Sequence, residues 1–424
     1  MRAPLPTHHS VVVIGGGQAG LSASYHLKRH GIDHVVFEKN RIAHTWRSQR
    51  WDAFCLVTPN WQCQLPDFPY AGSEPHGFMP REEIVAYVEA FARRTGVPVR
   101  EGVAVTRVAR RDEGFLVETS EGHVTADAVI LAVSAYHIPK IPAMAAGAPK
   151  GIVQIHSSAY KNPDQLPSGK ILVIGSGQSG CQIAEDLHLA GRTVHLVVGS
   201  APRCPRFYRG RDAVDWLDDL GQYEMTVEDH PLGEKVRGNA NHYLTGRGGG
   251  RDIDLRRFAN EGMVLHGRLT GIENGRLTLA DDLARNLDAA DAVYNGICAL
   301  IDRHIAEKGI IAPEGAHYSP VWQPGEPVRS LDVEAADITG IIWSTGFRSD
   351  WSWVDLPFLD ETGYPAHRRG VTDVQGLYVI GMPWLWTWGS GRFLSVGRDA
   401  DFVVDHLAAL RANEMGSTPA RMAV

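Results

Sequence analysis

Two glycine-spaced loops carry the strongest chemical signal in this chain. Ser10-Val-Val-Val-Ile-Gly-Gly-Gly-Gln-Ala-Gly20 and Lys170-Ile-Leu-Val-Ile-Gly-Ser-Gly-Gln-Ser-Gly180 each read as a short apolar run, then G-x-G-x-x-G, then a helical pattern. In the first, Gly15 permits a tight turn, Gly17 lets a pyrophosphate approach the backbone, and Gly20 lets helix pack on strand. The N–H groups around Gln18 and Ala19 would open the helix toward the phosphates. Glu38 closes the next apolar run, followed by Lys39; it stands 18 residues after Gly20. A carboxylate there accepts both hydroxyls of a ribose.

The second loop places Gly175, Gly177 and Gly180, with Gln178 and Ser179, in the same roles. The same count from Gly180 reaches Val198, then Gly199 and Ser200, with no acid; Arg203, Arg206, Arg209 and Arg211 follow. A missing carboxylate removes repulsion from a 2′-phosphate, and guanidinium groups pair well with phosphate. NADPH is therefore expected here, held through Arg203 or Arg206, with the other arginines on a solvated face.

The elements that must position these loops follow from the same stretches. Helices are expected over 21–30 and 181–190, each ended by a glycine, with strands at Val35–Phe37 and Val194–Val198. That is βαβ twice, so the fold class is α/β, with two Rossmann-like dinucleotide-binding domains. Ile84, Tyr87, Val88 and Phe91 predict a helix from Pro80 to Thr95. Short strands are expected over 97–125, buried strands at 128–133, 338–344 and 377–380, and a last helix over 402–411. The stretches 139–149 and 162–169 read as linkers. The division expected is 1–165 for the first part of an FAD domain, 166–349 for a nicotinamide domain, and 350–424 for the rest of the FAD domain. A polar insertion near 200–330 receives no element.

Composition narrows the function. The chain has 424 residues, 44% hydrophobic and 21% charged, with formal net charge -7 and no basic stripe, which speaks against nucleic acid. No apolar run approaches the roughly 18 residues of a spanning helix. Val11–Ile14 runs into glycines rather than a cleavage site, so a buried strand and a cytoplasmic location are expected. Cys55, Cys63, Cys181, Cys204 and Cys298 form no C-x-x-C pair, and the 19 histidines show no metal-ligand spacing. Two adjacent dinucleotides imply hydride transfer from nicotinamide to flavin, hence FAD on the first loop and NADPH on the second. Without a dithiol or clustered cysteines, dioxygen is the simplest acceptor; a reductase serving another small acceptor is the alternative.

Taken together these motifs resemble the flavin-containing monooxygenases over nearly the whole chain. His44-Thr45-Trp46 is similar to the family's flavin-side G-x-W turn, which implies that Thr45 and Trp46 lie by the flavin. Leu56 to Pro66, followed by Phe68-Pro69, is similar to the segment passing the isoalloxazine in the plant auxin-forming members. Ala132 to Pro139 looks like a worn A-T-G-x-x-x-x-P crossover, and Ser344 to Arg348 like a better copy. Gly376 to Gly381 resembles the late strand, which puts Gly381 by the flavin diphosphate; the backbone of Val105 would contact the adenine. His156, Tyr160 and Lys161 match the second half of the family fingerprint, while Lys150 and Ile152 depart from the first; Tyr160-Lys161 points away from the Baeyer–Villiger form. Arg41 to Trp51 is also similar to a bacterial subgroup encoded beside nitrilase-type genes.

The resemblance implies a C4a-(hydro)peroxyflavin that oxygenates a small organic nucleophile. Asn60 is the expected donor to that adduct, against the alternative that it caps backbone. A small-molecule substrate and dioxygen are the expected partners, with no nucleic acid or membrane, for a chain acting alone or as a homodimer. Trp51, Trp61, Trp351, Trp353, Trp384, Trp386 and Trp388 either line a substrate cavity or pack the core. Arg392 and Arg398 either balance a reduced flavin or face solvent, and His8 and His9 are expected at a frayed terminus.

Overall fold

The computed structural model describes residues 6–416. Its first sheet is built around β1 (His8–Ile14), followed by α1 (Gln18–Arg29) and β2 (His34–Glu38). β1 pairs parallel with β2, Val13 opposite Val36. Four uninterrupted apolar residues, Val11–Ile14, are all buried, and the pleat sends alternate side chains to opposite faces. Val11 and Val13 enter one cluster with Leu21, Leu27 and Val36; Val12 and Ile14 enter another with Val35 and Phe37. Burial of each such side chain contributes about 1.5–3 kcal/mol, so the run is held as a strand covered on both faces.

The first cluster is closed by α2 (Arg81–Thr95), whose Ile84, Val88 and Phe91 face inward, and Gly96 ends the helix in the left-handed conformation. β3 (Val99–Glu101) extends the sheet beyond β2. β4 (Val105–Arg110), β5 (Phe115–Thr119) and β6 (Gly122–Leu131) form an antiparallel meander. The far half of β6 returns to pair parallel with β1.

The second sheet is parallel throughout. In spatial order it holds β7 (Val153–His156), the late strand Ile338–Trp343, β8 (Lys170–Ile174), β9 (Val194–Val197) and β10 (Val264–His266). α3 (Gln178–Leu189) connects β8 to β9. The edge strand β7 belongs to this sheet, although the sequence division placed it before residue 165. The two crossovers pair with each other, Phe347 opposite Pro139 and Arg348 opposite Ile138.

The stretch 200–330 is more ordered than its polarity suggested. It supplies β10, then β11 (Leu269–Glu273) and β12 (Arg276–Leu279), which with β13 (Ser330–Asp332) form a small antiparallel sheet, and the 26-residue α4 (Leu283–Lys308) between them. α4 buries Leu287, Ala290, Tyr294, Ile297, Ile301 and Ile305 at helical spacing, but Asn286 and Asp291 share that face and blur the apolar stripe. β14 (Ile338–Trp343) is the late strand of the parallel sheet, and β15 (Leu377–Val379) returns to the first sheet beside β6. The last helix, α5 (Val396–Gly416), starts six residues before the expected position and lies against α1. Its first turn carries Arg398 and the fully buried Asp399, a polar pair that hides the start. His8 and His9 are not frayed: His8 opens β1, and buried His9 meets Asp33 at 3.1 Å.

One buried pair makes the second sheet pH-sensitive. His195 on β9 and His266 on β10 stack at 5.2 Å, with Nδ1 of one 3.0 Å from Nε2 of the other. Burial pushes both imidazoles down to about 4. In the unfolded chain a histidine titrates near 6.5. Between those values the unfolded state binds more protons, so stability is lost as pH falls from about 6.5 toward about 4, by up to about 1.4 kcal/mol per pH unit for each group. His195→Gln should flatten the slope of urea-unfolding free energy against pH in that window by one such contribution; an unchanged slope places the titration elsewhere.

Candidate active site

Each glycine loop ends its strand on a tight turn and begins its helix uncapped. Gly15 has φ 108°, and an added Cβ there would lie 2.6 Å from the Ala132 carbonyl oxygen; one on Gly20 would lie 1.9 Å from that of Gly15. A Cβ on Gly17 would meet nothing within 4 Å. α1 has no side-chain cap and no acid in its first turn. The second loop repeats this: Gly175 has φ 102°, the Gly180 Cβ would sit 1.8 Å from the Gly175 oxygen, Gly177 opens onto space, and α3 is likewise uncapped. Free N–H groups facing an open glycine edge are what a pyrophosphate needs, so both loops fit a dinucleotide.

Around the first loop the structure gathers several expected residues. Glu38 accepts from the Gly16 and Asn40 N–H groups, both at 2.8 Å, and keeps acceptor capacity for ribose hydroxyls. Gln18 donates to the Gly391 carbonyl at 3.3 Å and accepts from Trp46 Nε1 at 3.4 Å. Gly381 has φ 76° and stands so close to buried Ala19 that a Cβ would lie 2.5 Å from the alanine's. Lys39 and Thr45 are exposed near this edge, and Val105 is half-buried at the start of β4. At the second loop, Gln178 donates to the Leu244 carbonyl at 2.6 Å, and Ser179 is half-buried on the first turn of α3.

Three expectations are corrected. Arg203 is 2% exposed, pairs with Asp291 at 2.8 Å, and lies over the rings of Tyr294 and Tyr318 at 4.5 and 4.2 Å. Arg206 is 0% exposed; it is ion-paired with Asp212 and donates to the Val57 carbonyl at 2.6 Å. Neither presents a free guanidinium to a coenzyme phosphate. The reason is tertiary, since Asp291 lies 88 residues away in sequence. Asn60 is also engaged: its Oδ1 accepts from Met79 N at 2.7 Å and its Nδ2 donates to the Glu74 carbonyl at 2.9 Å. It clasps the 60–79 loop, so its expected role as donor to the flavin adduct is withdrawn.

The tryptophans divide. Trp51 and Trp351 are buried in the core clusters, whereas Trp384, Trp386 and Trp388 are half-buried under a segment from the other half of the molecule. Residues 213–250 leave the second sheet and cross to the first. Asp215 accepts from Trp61 Nε1 at 2.7 Å, Val227 N donates to the Trp386 carbonyl at 2.7 Å, and Arg237 donates to that of Trp384 at 3.2 Å. Tyr223 packs on Trp388 at 4.7 Å. This roof was missed because its stretch has no apolar period, and only its scattered aromatics hinted at a buried face. Arg398 pairs with Glu224 of the roof at 2.6 Å.

Two nucleotide cradles, each at the end of a parallel βαβ unit of its own sheet, with an aromatic wall beside the first and a roof from the second half over it, define a flavin- and nicotinamide-dependent oxidoreductase. Residues 12–209 match the pyridine nucleotide-disulphide oxidoreductase family. The chain is 30% identical over 400 residues to a CzcO-like oxidoreductase of Geobacillus kaustophilus, covering 94% of this chain and 97% of that protein. It belongs to the CzcO-like oxidoreductases. An indole-3-pyruvate monooxygenase of rice, YUCCA1, is 30% identical over 191 residues, covering 44% of this chain and 47% of that protein. A flavin-containing monooxygenase from Stenotrophomonas maltophilia shares the fold, with TM-score 0.65 at 20% identity over 96% of this chain and 99% of that one. No helix among the described residues is long and apolar enough to cross a membrane.

Two outcomes follow from this geometry. Glu38→Ala should purify largely colourless, and a full flavin complement measured by absorbance would remove Glu38 from the ribose. Arg206→Ala strands the buried Asp212 carboxylate and should cost about 3–5 kcal/mol in denaturant unfolding. Its KM values for NADPH and NADH should move together; a selective rise for NADPH would restore the phosphate role.

Proposed function

We propose that this chain is an FAD-dependent, NADPH-using monooxygenase that oxygenates a small organic nucleophile. The division we propose puts FAD on residues up to about 150 together with 350–424, and the nicotinamide coenzyme on the segment between. Bound FAD would accept a hydride from the coenzyme and then activate dioxygen. The chain's own contribution is to hold and to exclude. Glu38 and the Gly15–Gly20 loop take the adenosine and pyrophosphate, and the Gly175–Gly180 loop takes the second dinucleotide.

The observation that carries the reading is the roof. A segment of the nicotinamide half lies hydrogen-bonded on the Trp384–Trp388 wall, and that wall is tied to the first glycine loop through Gly391 and Gln18. Oxygen transfer by flavin needs a site kept dry until substrate arrives, and a roof over this wall would serve that need. NADPH is favoured over NADH because Val198, Gly199 and Ser200, just past β9, carry no acid to repel a 2′-phosphate. Thiol chemistry is disfavoured: Cys55 is half-buried and its thiol is pushed up to about 11 by burial, while Cys63, Cys181, Cys204 and Cys298 are buried. The rice relative's own name, a monooxygenase, agrees with oxygenation.

Stopped-flow mixing of the NADPH-reduced enzyme with oxygenated buffer should show a transient absorbing near the blue edge of the visible before oxidised flavin returns. Single-step reoxidation with all electrons recovered as hydrogen peroxide, at every pH and with candidate substrates present, would favour a reductase or oxidase instead.

A further inference from the structure

All four arginines that follow β9 are engaged by aspartates. Arg203 pairs with Asp291 at 2.8 Å, Arg206 with Asp212, Arg209 with Asp302 at 3.6 Å, and Arg211 with Asp219 at 2.6 Å. The end of β9 still matters for the second coenzyme, because the residues there meet the adenosine ribose of a dinucleotide held on the preceding glycine loop. Val198, Gly199 and Ser200 occupy that place. A Cβ on Gly199 would meet only Ser176 Oγ, at 3.9 Å, so the backbone is open there, and Ser200 is exposed.

The charges that the fold brings to this edge come from much later in the chain. The Val198 N–H donates to the His266 carbonyl at 2.9 Å, so the turn leaving β10, Gly267-Arg268, runs beside Gly199 and Ser200. The Val198 carbonyl accepts from Asn286 Nδ2 at 3.1 Å, which sets the first turn of α4, with Arg285, against the same strand end. The two guanidiniums converge on one oxygen. Arg268 Nε donates to Asp282 Oδ2 at 2.6 Å, and Arg285 Nη2 donates to it at 3.3 Å. The Arg268 N–H takes the other oxygen at 2.9 Å.

Asp282 is buried, whereas the side chains of Arg268 and Arg285 are 59% and 71% exposed. Burial alone would raise the Asp282 carboxyl, but the N–H and guanidinium of Arg268 outweigh it and hold the group below its usual range, hence ionised. Two guanidiniums on one carboxylate leave a surplus of one positive charge. Each planar fork also keeps N–H donors beyond its bond to Asp282. The neighbouring Asp281 is drawn off by Arg329 at 2.6 Å. A buried carboxylate that aims two exposed forks past an open backbone suits a phosphate monoester, whose oxygens accept several charge-assisted hydrogen bonds at once.

We propose that Arg268 and Arg285, aimed by Asp282, recognise the 2′-phosphate of NADPH in place of the arginines that directly follow β9. This rests on the reading of the second glycine loop as an NADPH site, and it deepens that reading by naming the residues that select the phosphate.

The probes are 2′,5′-ADP and 5′-AMP, which differ only in the 2′-phosphate, titrated calorimetrically into the FAD-loaded oxidised enzyme. The wild type should bind 2′,5′-ADP at least about tenfold more tightly, as hydrogen bonds to charged groups imply. Arg285→Gln should reduce that advantage while Asp282 keeps Arg268. Arg268→Gln combined with Arg285→Gln should abolish it, and Arg268→Lys should retain part of it. The affinity for 5′-AMP should stay unchanged throughout. Should the double variant lose flavin or fold, Arg285→Gln and Arg268→Lys decide alone. Equal binding of the two probes to the wild type, or no binding of either, overturns the NADPH reading and the subsite together. A wild-type advantage that survives undiminished in the variants overturns the subsite and leaves NADPH preference standing. Equal weakening of both probes would make the arginines structural and overturns the subsite as well.

Discussion

No side chain fits between the start of α1 and the turn that precedes it. The Gly20 Cα stands so near the Gly15 carbonyl that one added carbon would lie 1.9 Å from it, and Gly180 repeats the approach to Gly175 at 1.8 Å. That closeness sets each helix N-terminus directly over the end of its parallel strand. The unpaired N–H groups and the positive end of the helix dipole then face the open edges at Gly17 and Gly177. Packing and close backbone approaches elsewhere hold the first of these edges in place. The alternating burial of Val11–Ile14 fixes the first strand within its sheet, and Gly381 closes the same loop from β15 by approaching Ala19.

Several polar contacts, most of them partly buried, join the halves. Arg206 reaches from the nicotinamide half to the Val57 carbonyl, Asp215 takes both Trp61 Nε1 and His76, and Lys161 donates to the carbonyls of Ser48 and Arg50. Asn162 and Arg81 both hold Asp52, at 2.7 and 2.9 Å. Thus Lys161, part of the fingerprint, clasps the very turn that carries Trp46 and Arg50. A buried polar group needs its partner more than it rewards having one. Such contacts specify how the halves meet more than they raise stability, and they make the flavin-side wall depend on both halves being in place.

The roof shows how a polar stretch comes to matter. Residues 213–250 bring Tyr223, Arg237 and Asn241 onto Trp388, Trp384 and Arg392, yet no hydrophobic period announces them. Their fit comes from single aromatic contacts and side chain–backbone hydrogen bonds, each local to one point of the opposing surface. A pattern-based reading detects repetition along the chain, and there is none to detect here.

The chain alone determined both βαβ units, the residues of the glycine loops, Glu38, and the helix over Arg81–Thr95. Each of these is a local rule: a period, a cap, or a glycine that a tight turn demands. Tertiary structure decided which charges were free. Arg203 and Arg206 look in sequence like phosphate ligands and are sealed against Asp291 and Asp212, while Arg392, read in sequence as balancing a reduced flavin or facing solvent, has no carboxylate partner among the described residues and lies over Trp388. Asn60 was likewise claimed by the backbone of its own loop. The reason is common to all three cases. Whether a polar group can meet a ligand depends on which distant groups fold against it, and burial makes that pairing nearly obligatory, whereas the residue type and its neighbours in sequence are silent about it.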